Sequence, residues 1–277
     1  MRGKSCQSVI LAGILACFLT HPAMSQEGIS FSGSIPVGDG ILRAGAVKAF
    51  EEKTKIKFLS LETPGTGIGL KALIDGKANL AGSARPLKPE EKKHNLVGHV
   101  IGYEAVAIYL HKNNPVKDLS REQLKAIFTG RIRNWKEVGG NNAPITPLIS
   151  TAQNRAIVQM FEELIMNNVP YGAGYENITQ PSEKIEHVSR DENSICAESL
   201  GLQWTLGADV RSRVKVISVD FVEPIDKNVR SGAYPITTPL LLVTKGLPTA
   251  HVKKFIDFML SKEGQAIVDV NFIPVRR

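Results

Sequence analysis

Cysteine is scarce in this sequence. The 277 residues contain three. Two of them, Cys6 and Cys17, fall in an N-terminal stretch that reads as a removable export signal: Arg2 and Lys4, an apolar run over residues 9–19, then small residues at Ala23-Met24-Ser25. Cleavage there starts the mature chain near Gln26 and leaves Cys196 alone. An internal disulfide is excluded, the apolar core has to suffice, and Cys196 itself reads as a small buried hydrophobe rather than a nucleophile. Long apolar runs are missing too, since the first one falls well short of the roughly 20 residues that span a bilayer. Ile14-Leu15-Ala16-Cys17 offers a second route, a lipoprotein anchored through Cys17. Charge of one sign is not in large excess: the formal +7 falls to +5 once Arg2 and Lys4 leave, and the basic residues are scattered rather than striped. That excludes a nucleic-acid surface and leaves a mild bias toward acidic solutes. The six histidines, His21, His94, His99, His111, His187 and His251, are dispersed. There is no His-Glu-x-x-His, no Cys-x-x-Cys and no Gly-x-Ser-x-Gly, so neither a metal, a cofactor nor an enzyme activity is expected. The only two tryptophans, Trp135 and Trp204, are expected in the core.

What the chain does have is glycine and hydroxyl residues at turns that open into helices. The stretch 63–76, Thr-Pro-Gly-Thr-Gly-Ile-Gly-Leu-Lys-Ala-Leu-Ile-Asp-Gly, reads as a turn followed by a short helix with Ile68, Leu70, Leu73 and Ile74 inward and Gly76 as its stop. Such a junction offers unpaired N–H groups and the positive end of a helix dipole to an anion, with Thr66 and Gly67 best placed. The spacing is neither a dinucleotide fingerprint nor a phosphate loop of nucleotidases, and glycines also serve turns for purely conformational reasons. A strand near 79–81 then delivers Ser83 and Arg85 at its C-terminal end, the edge where ligands collect in open α/β sheets. A second junction is Gly33-Ser34-Ile35-Pro36, ahead of a helix burying Leu42, Ala46, Ala49 and Phe50. A third is Ser150-Thr151-Ala152-Gln153-Asn154-Arg155, ahead of an apolar stripe of Ile157, Met160, Phe161, Leu164 and Ile165. Three such junctions can converge on one cleft.

Strands and helices alternate along the chain, the grammar of a parallel sheet. Strands are expected at 29–31, 56–61, 100–103, 106–110, 145–149, 214–219 and 239–243. Ser120-Arg121-Glu122-Gln123 has the form of a capping box for a helix burying Leu124, Ile127 and Phe128. Residues 167–181 read as a surface loop carrying Tyr171 and Tyr175. Short helices are expected at 182–190 and 192–200, with further helices at 248–260 and 264–270.

Five ordered segments resemble the phosphate-binding proteins of ABC transporters, in the type II periplasmic binding protein class: 65–76, Ala-Gly-Ser-Ala-Arg-Pro-Leu-Lys-Pro-Glu-Glu at 81–91, Ile-Phe-Thr-Gly-Arg-Ile-Arg-Asn-Trp-Lys-Glu-Val-Gly-Gly at 127–140, Ser-Gly-Ala-Tyr-Pro-Ile at 231–236 and Phe-Ile-Asp-Phe-Met-Leu-Ser-Lys-Glu-Gly-Gln at 255–265. The resemblance implies two α/β lobes, each a mixed or parallel sheet flanked by helices, joined by a two-crossover hinge that closes on ligand. After a signal peptide at 1–25, lobe 1 is expected at 26–104 and 225–277, and lobe 2 at 105–224. It further implies a monomeric, periplasmic or extracellular protein that binds a small oxyanion, phosphate, through Ser34, Ile35, Thr66, Gly67, Ser83, Arg85, Gln153, Asn154 and Arg155, and delivers it to an inner-membrane ABC permease. For each arginine an ordinary ion pair is the alternative. The chain departs from the family where phosphate is held: Ile35 replaces a hydroxyl residue, Pro36 lacks an N–H, Ala84 stands for Asp or Ser, and Ala152-Gln153-Asn154-Arg155 stands for Ser-Gly-Thr-Arg. A sensing or accessory protein of the same fold, without tight phosphate binding, is the alternative reading.

Overall fold

The computed structural model describes residues 28–151 and 156–276; the expected leader with Cys6 and Cys17, and the trio Gln153, Asn154 and Arg155, lie outside them. Among the described residues there are eleven strands. They are β1 (Ile29–Gly33), β2 (Phe58–Glu62), β3 (Leu80–Ser83), β4 (Leu96–His111), β5 (Asp118–Leu119), β6 (Thr146–Ile149), β7 (Glu176–Asn177), β8 (Ser194–Ser199), β9 (Val214–Val219), β10 (Thr237–Lys245) and β11 (Ile273–Pro274). Hydrogen bonding orders them β2-β1-β3-β10-β4-β8-β6-β7, with β11 and β9 also on β4 and β5 on β9. Pairing is parallel for β2-β1-β3 and for β8-β6-β7, and antiparallel wherever β4 or β10 takes part.

The organising strand is β4. Two strands were expected in this region; one unbroken strand of 16 residues is found, because Glu104-Ala105 between the two apolar runs contains no turn-forming residue. Its first part, Leu96–Ala105, pairs with β10, and its second, from Val106 on, with β8 and β9. Ala105 to Leu110 are all at most 1% exposed, as a strand covered on both faces requires. The chain passes back beside it at Tyr234–Thr237. Val106 N–H donates to Ile236 O at 2.9 Å, the Tyr234 hydroxyl donates to Val106 O at 2.9 Å, and the Thr237 hydroxyl donates to Glu104 O at 3.1 Å.

Two lobes lie either side of this crossing. The first packs Ile29, Phe31, Ile41, Leu42, Phe50, Leu240 and Phe255 into one cluster, with Phe50 against Phe255 at 4.9 Å and Phe58 against Phe255 at 5.0 Å between ring centroids. The second packs residues of β4, β6, β8 and β9 with Trp135, Phe128 and Phe161. Val229, Tyr234 and Ile236 belong to this second cluster.

Local signals are realised where they are local in cause. Ser120 accepts from Gln123 N–H at 3.1 Å while the Gln123 side chain takes the Ser120 N–H at 2.9 Å, the capping box in full. Cys196 is fully buried and free. Three further expectations fail. Residues 192–200 hold strand β8 instead of a helix, because Ile195, Cys196 and Ala197 fill the gap between β4 and β6 and sheet pairing outweighs a weak helix propensity. Trp204, expected inside, is 62% exposed; it ends the one-turn helix Leu200–Trp204, whose inward contact is made by Leu200. Ile68, also expected inward, is 62% exposed, since the helix Thr66–Ile74 turns Gly69, Leu70 and Leu73 to the sheet.

Gly69 has a steric reason. A Cβ there would stand 2.5 Å from both Gly33 Cα and Ser32 O, so the helix rests on the backbone of β1. In an exposed helix, Gly→Ala gains about 1 kcal/mol; here overpacking of about 1–3 kcal/mol opposes it. Gly69→Ala is expected to lower the thermal midpoint, while Ile68→Ala beside it leaves the midpoint nearly unchanged; parallel melts of the two variants check the contrast. Burial pushes the Cys196 thiol up to about 12, so peptide mapping after iodoacetamide at neutral pH is expected to find Cys196 unmodified in the native protein and alkylated in denaturant.

Candidate functional site

Three loops of the first lobe meet at the C-terminal edge of β1 and β3, and close backbone contact holds them there. A Cβ on Gly33 would fall 2.4 Å from Gly82 N. Ser34 N–H donates to Gly82 O at 3.0 Å, and Gly65 N–H to Gly33 O at 3.0 Å. The junctions at Ser34, Thr66 and Ser83 are therefore brought together.

Ser34 has extended backbone at the start of the helix that runs through Ile35–Val37 into Gly38–Ala46. Its Oγ is buried and has no hydrogen-bond partner, a condition that costs about 1–3 kcal/mol unless something supplies an acceptor or donor. Ile35 is 42% exposed beside it. Its N–H and that of Val37 lie in the first helical turn, where no intrahelical acceptor exists; Pro36 brings none.

Gly65 precedes the helix Thr66–Ile74 with φ 107°, a left-handed conformation that favours glycine. The amides of Thr66 and Gly67 then open the helix. The Thr66 hydroxyl is engaged: it accepts from Ala84 N–H at 3.3 Å. Ser83 is fully buried and its hydroxyl is spent within its own loop, donating to Arg85 O at 2.7 Å and accepting from Arg85 N–H at 3.3 Å. These two hydroxyls shape the loops.

Arg85 is held by Glu91 through both arms of its fork, at 2.7 and 2.9 Å, and donates further to Pro86 O at 3.0 Å. The bond from Glu91 raises the Arg85 pKa, with Glu163 of the second lobe adding to it, and the same pair holds the Glu91 carboxyl below its usual range. The ion pair weighed as the alternative for Arg85 is thus present, and it neutralises the guanidinium locally.

From the second lobe, Ser150 and Thr151 follow β6. Thr151 is fastened to Asn177 by two bonds, its N–H donating to Oδ1 at 3.2 Å and its Oγ1 accepting from Nδ2 at 3.0 Å. Gln153, Asn154 and Arg155 lie outside the described residues.

Thr238 and Glu104 were missed by the sequence reading. Thr238 donates to Ala84 O at 3.0 Å and so ties β10 to the Ser83–Arg85 loop; nothing local distinguishes it from any strand threonine. Glu104 had a signal, a lone carboxyl inside an apolar strand run. Among the described residues no cluster of His, Cys, Asp and Glu could hold a metal ion, and no helix is long and apolar enough to cross a membrane. What the assembled edge offers is backbone amides, one uncommitted buried hydroxyl and helix N-termini, an arrangement suited to a small anion.

Comparison with known proteins identifies similar chains and a family. The chain is 29% identical over 260 residues to the phosphate-binding protein PstS of Bacillus subtilis (strain 168), covering 91% of this chain and 82% of that protein. It is 33% identical to a solved putative phosphate ABC transporter substrate-binding protein with bound phosphate from Clostridium perfringens, with a TM-score of 0.63, covering 90% of this chain and all of that one. The structure of PstS from Borrelia burgdorferi superposes with a TM-score of 0.79 at 24% identity over 91% of this chain, which shows a shared fold. A family profile described as the PBP superfamily domain matches residues 20–263, and the chain belongs to that superfamily.

Proposed function

We propose that this chain is an exported solute-binding protein that closes its two lobes on a small oxyanion, phosphate, and presents it to an ABC permease. The relatives named above are binding proteins for phosphate, and the observation that carries the reading here is the buried, partnerless Ser34 hydroxyl at a helix start where three loops meet. Phosphate supplies the acceptor that Ser34 lacks, together with acceptors for the amides of Ile35, Thr66 and Gly67. Gln153, Asn154 and Arg155 close over it from the second lobe, and Arg155 brings the main positive charge. Arg85 reaches the anion by releasing one arm from Glu91.

The lobes divide, in this reading, at 104/105 and at 236/237. The first crossover is the one expected from sequence; the second is moved from 225 because Val229, Tyr234 and Ile236 pack with the second lobe. The protein works as a monomer outside the cytoplasmic membrane after removal of residues 1–25, with lipidation at Cys17 the other processing route, and it performs no catalysis. A sensing or accessory role with weak phosphate binding is favoured by one observation, the Arg85–Glu91 pair, which removes a cation that the site would otherwise use.

Titration calorimetry on ligand-stripped protein tests the reading. Phosphate is expected to give saturable heat with one site per chain, and no heat at millimolar phosphate rejects a transport-grade site. A hydrogen bond to a charged group contributes about 1.5–3 kcal/mol. Ser34→Ala should therefore weaken phosphate binding roughly ten- to a hundredfold with an unchanged melting curve, and Arg155→Ala should weaken it at least as much.

A further inference from the structure

Glu104 is the only charged residue between Ile101 and Leu110 of β4, and it is 5% exposed. Both lobes position it. In the ladder it stands opposite Thr238, and opposite residues of an antiparallel pair project from the same face of the sheet. The Thr238 hydroxyl reaches Ala84 O, and Ala84 N–H reaches the Thr66 hydroxyl, so the carboxyl stands beside the first-lobe loops. From the second lobe, Ser199 at the end of β8 donates its hydroxyl to Glu104 Oε1 at 2.9 Å. Strand β8 runs parallel to β6, which places Ser199 at the same sheet edge as Ser150 and Thr151. Glu104 therefore lies between the two sets of loops.

The surroundings decide its charge state. Oε1 accepts a second bond from Ala105 N–H at 3.2 Å; with Oε1 accepting twice, the acid proton belongs on Oε2. Glu198 on β8 adds like charge, and Lys184, from the helix Pro181–Val188, is committed to Glu198 at 2.6 Å with both side chains buried. Tyr109 on β4 is held neutral by burial. Ser199, which bonds the carboxyl, and Thr237 and Thr238 on the paired strand are uncharged. Burial, assisted by Glu198, pushes the Glu104 carboxyl up to about 8 against the pull of its two hydrogen bonds.

We propose that Glu104 contacts the ligand as a neutral acid, its Oε2–H donating a hydrogen bond to the bound oxyanion, so that anion binding is linked to a proton held on this side chain. The inference rests on the phosphate reading above and adds to it a residue and a pH dependence. An anion beside Glu104 raises its pKa further. Above the ligand-free pKa, binding then requires uptake of a proton, and affinity falls by up to about tenfold per pH unit.

Calorimetry with inorganic phosphate between about pH 8 and about pH 10 reads this directly, because phosphate itself stays the dianion across that window. Wild-type protein is expected to lose affinity by up to about tenfold per unit and, in buffers of different ionisation enthalpy, to take up close to one proton per phosphate at the alkaline end. Glu104→Gln, whose amide N–H replaces the acid donor, is expected to bind with little pH dependence. A ligand-free readout runs beside it. The folded pKa of Glu104 lies above its unfolded value, so wild type should lose stability relative to Glu104→Gln as pH rises from about 4.5 to about 8. Should the variant fail to fold, the wild-type proton count decides alone. Equal slopes in the two proteins, or phosphate binding without proton uptake, overturn the Glu104 contact and leave the phosphate reading standing. Absence of heat at every pH overturns both.

Discussion

A strand that serves two sheets must change partners without leaving its backbone groups unpaired, and β4 meets this constraint at Glu104–Val106. The N–H of Val106 and the carbonyls of Glu104 and Val106 are all taken by the returning chain at Tyr234–Thr237. Buried polar groups left unpaired at this point would be costly, so the two crossovers are tied side by side. Bending about that line leaves the ladders on either side intact, which is the condition for hinge closure of rigid lobes. The same crossing fixes where the binding loops can meet, because the ends of β1, β3, β6 and β8 all face it.

The chemistry gathered there is economical in charge. Thr66 and Ser83 use their hydroxyls to hold neighbouring backbone, and Arg85 is neutralised by Glu91. While Arg85 stays on Glu91, the first-lobe half of the proposed site offers oriented amides and the Ser34 hydroxyl. Amides fixed by close glycine contacts cost no reorganisation on binding, and they suit a compact anion better than a flexible lysine would. Ala84 puts only a methyl group on this wall, and the Thr238 hydroxyl holds its carbonyl from behind.

How far the residues alone foretold this differs from element to element. The capping box at Ser120, the glycine turn at Gly65 and the buried Cys196 have causes within a few residues or in simple polarity, and each was legible. The helix expected at 192–200 failed because Ile195 and Cys196 answer to β4 and β6, which lie far away in sequence. Trp204 failed because its size suggested a core position, whereas Leu200 occupies the inward side of that single turn. Ser83 and Arg85 were visible as positions at a strand end and an ion pair for Arg85 was weighed; its partner Glu91 and the hold of Ser83 on the Arg85 backbone were not.

By its own order of residues the chain determined the alternation of strands and helices, the loop-to-helix junctions and the membership in a two-lobed class, since these follow from periodicity, turn chemistry and matching motifs. Tertiary structure alone decided which hydroxyl stays without a partner and which carboxyl is buried between strands of the two lobes. Those outcomes depend on groups brought together from tens of residues or more apart, as Ser34 is to Gly82 and Glu104 to Ser199, and burial there sets the cost of every unmade hydrogen bond and every unpaired charge.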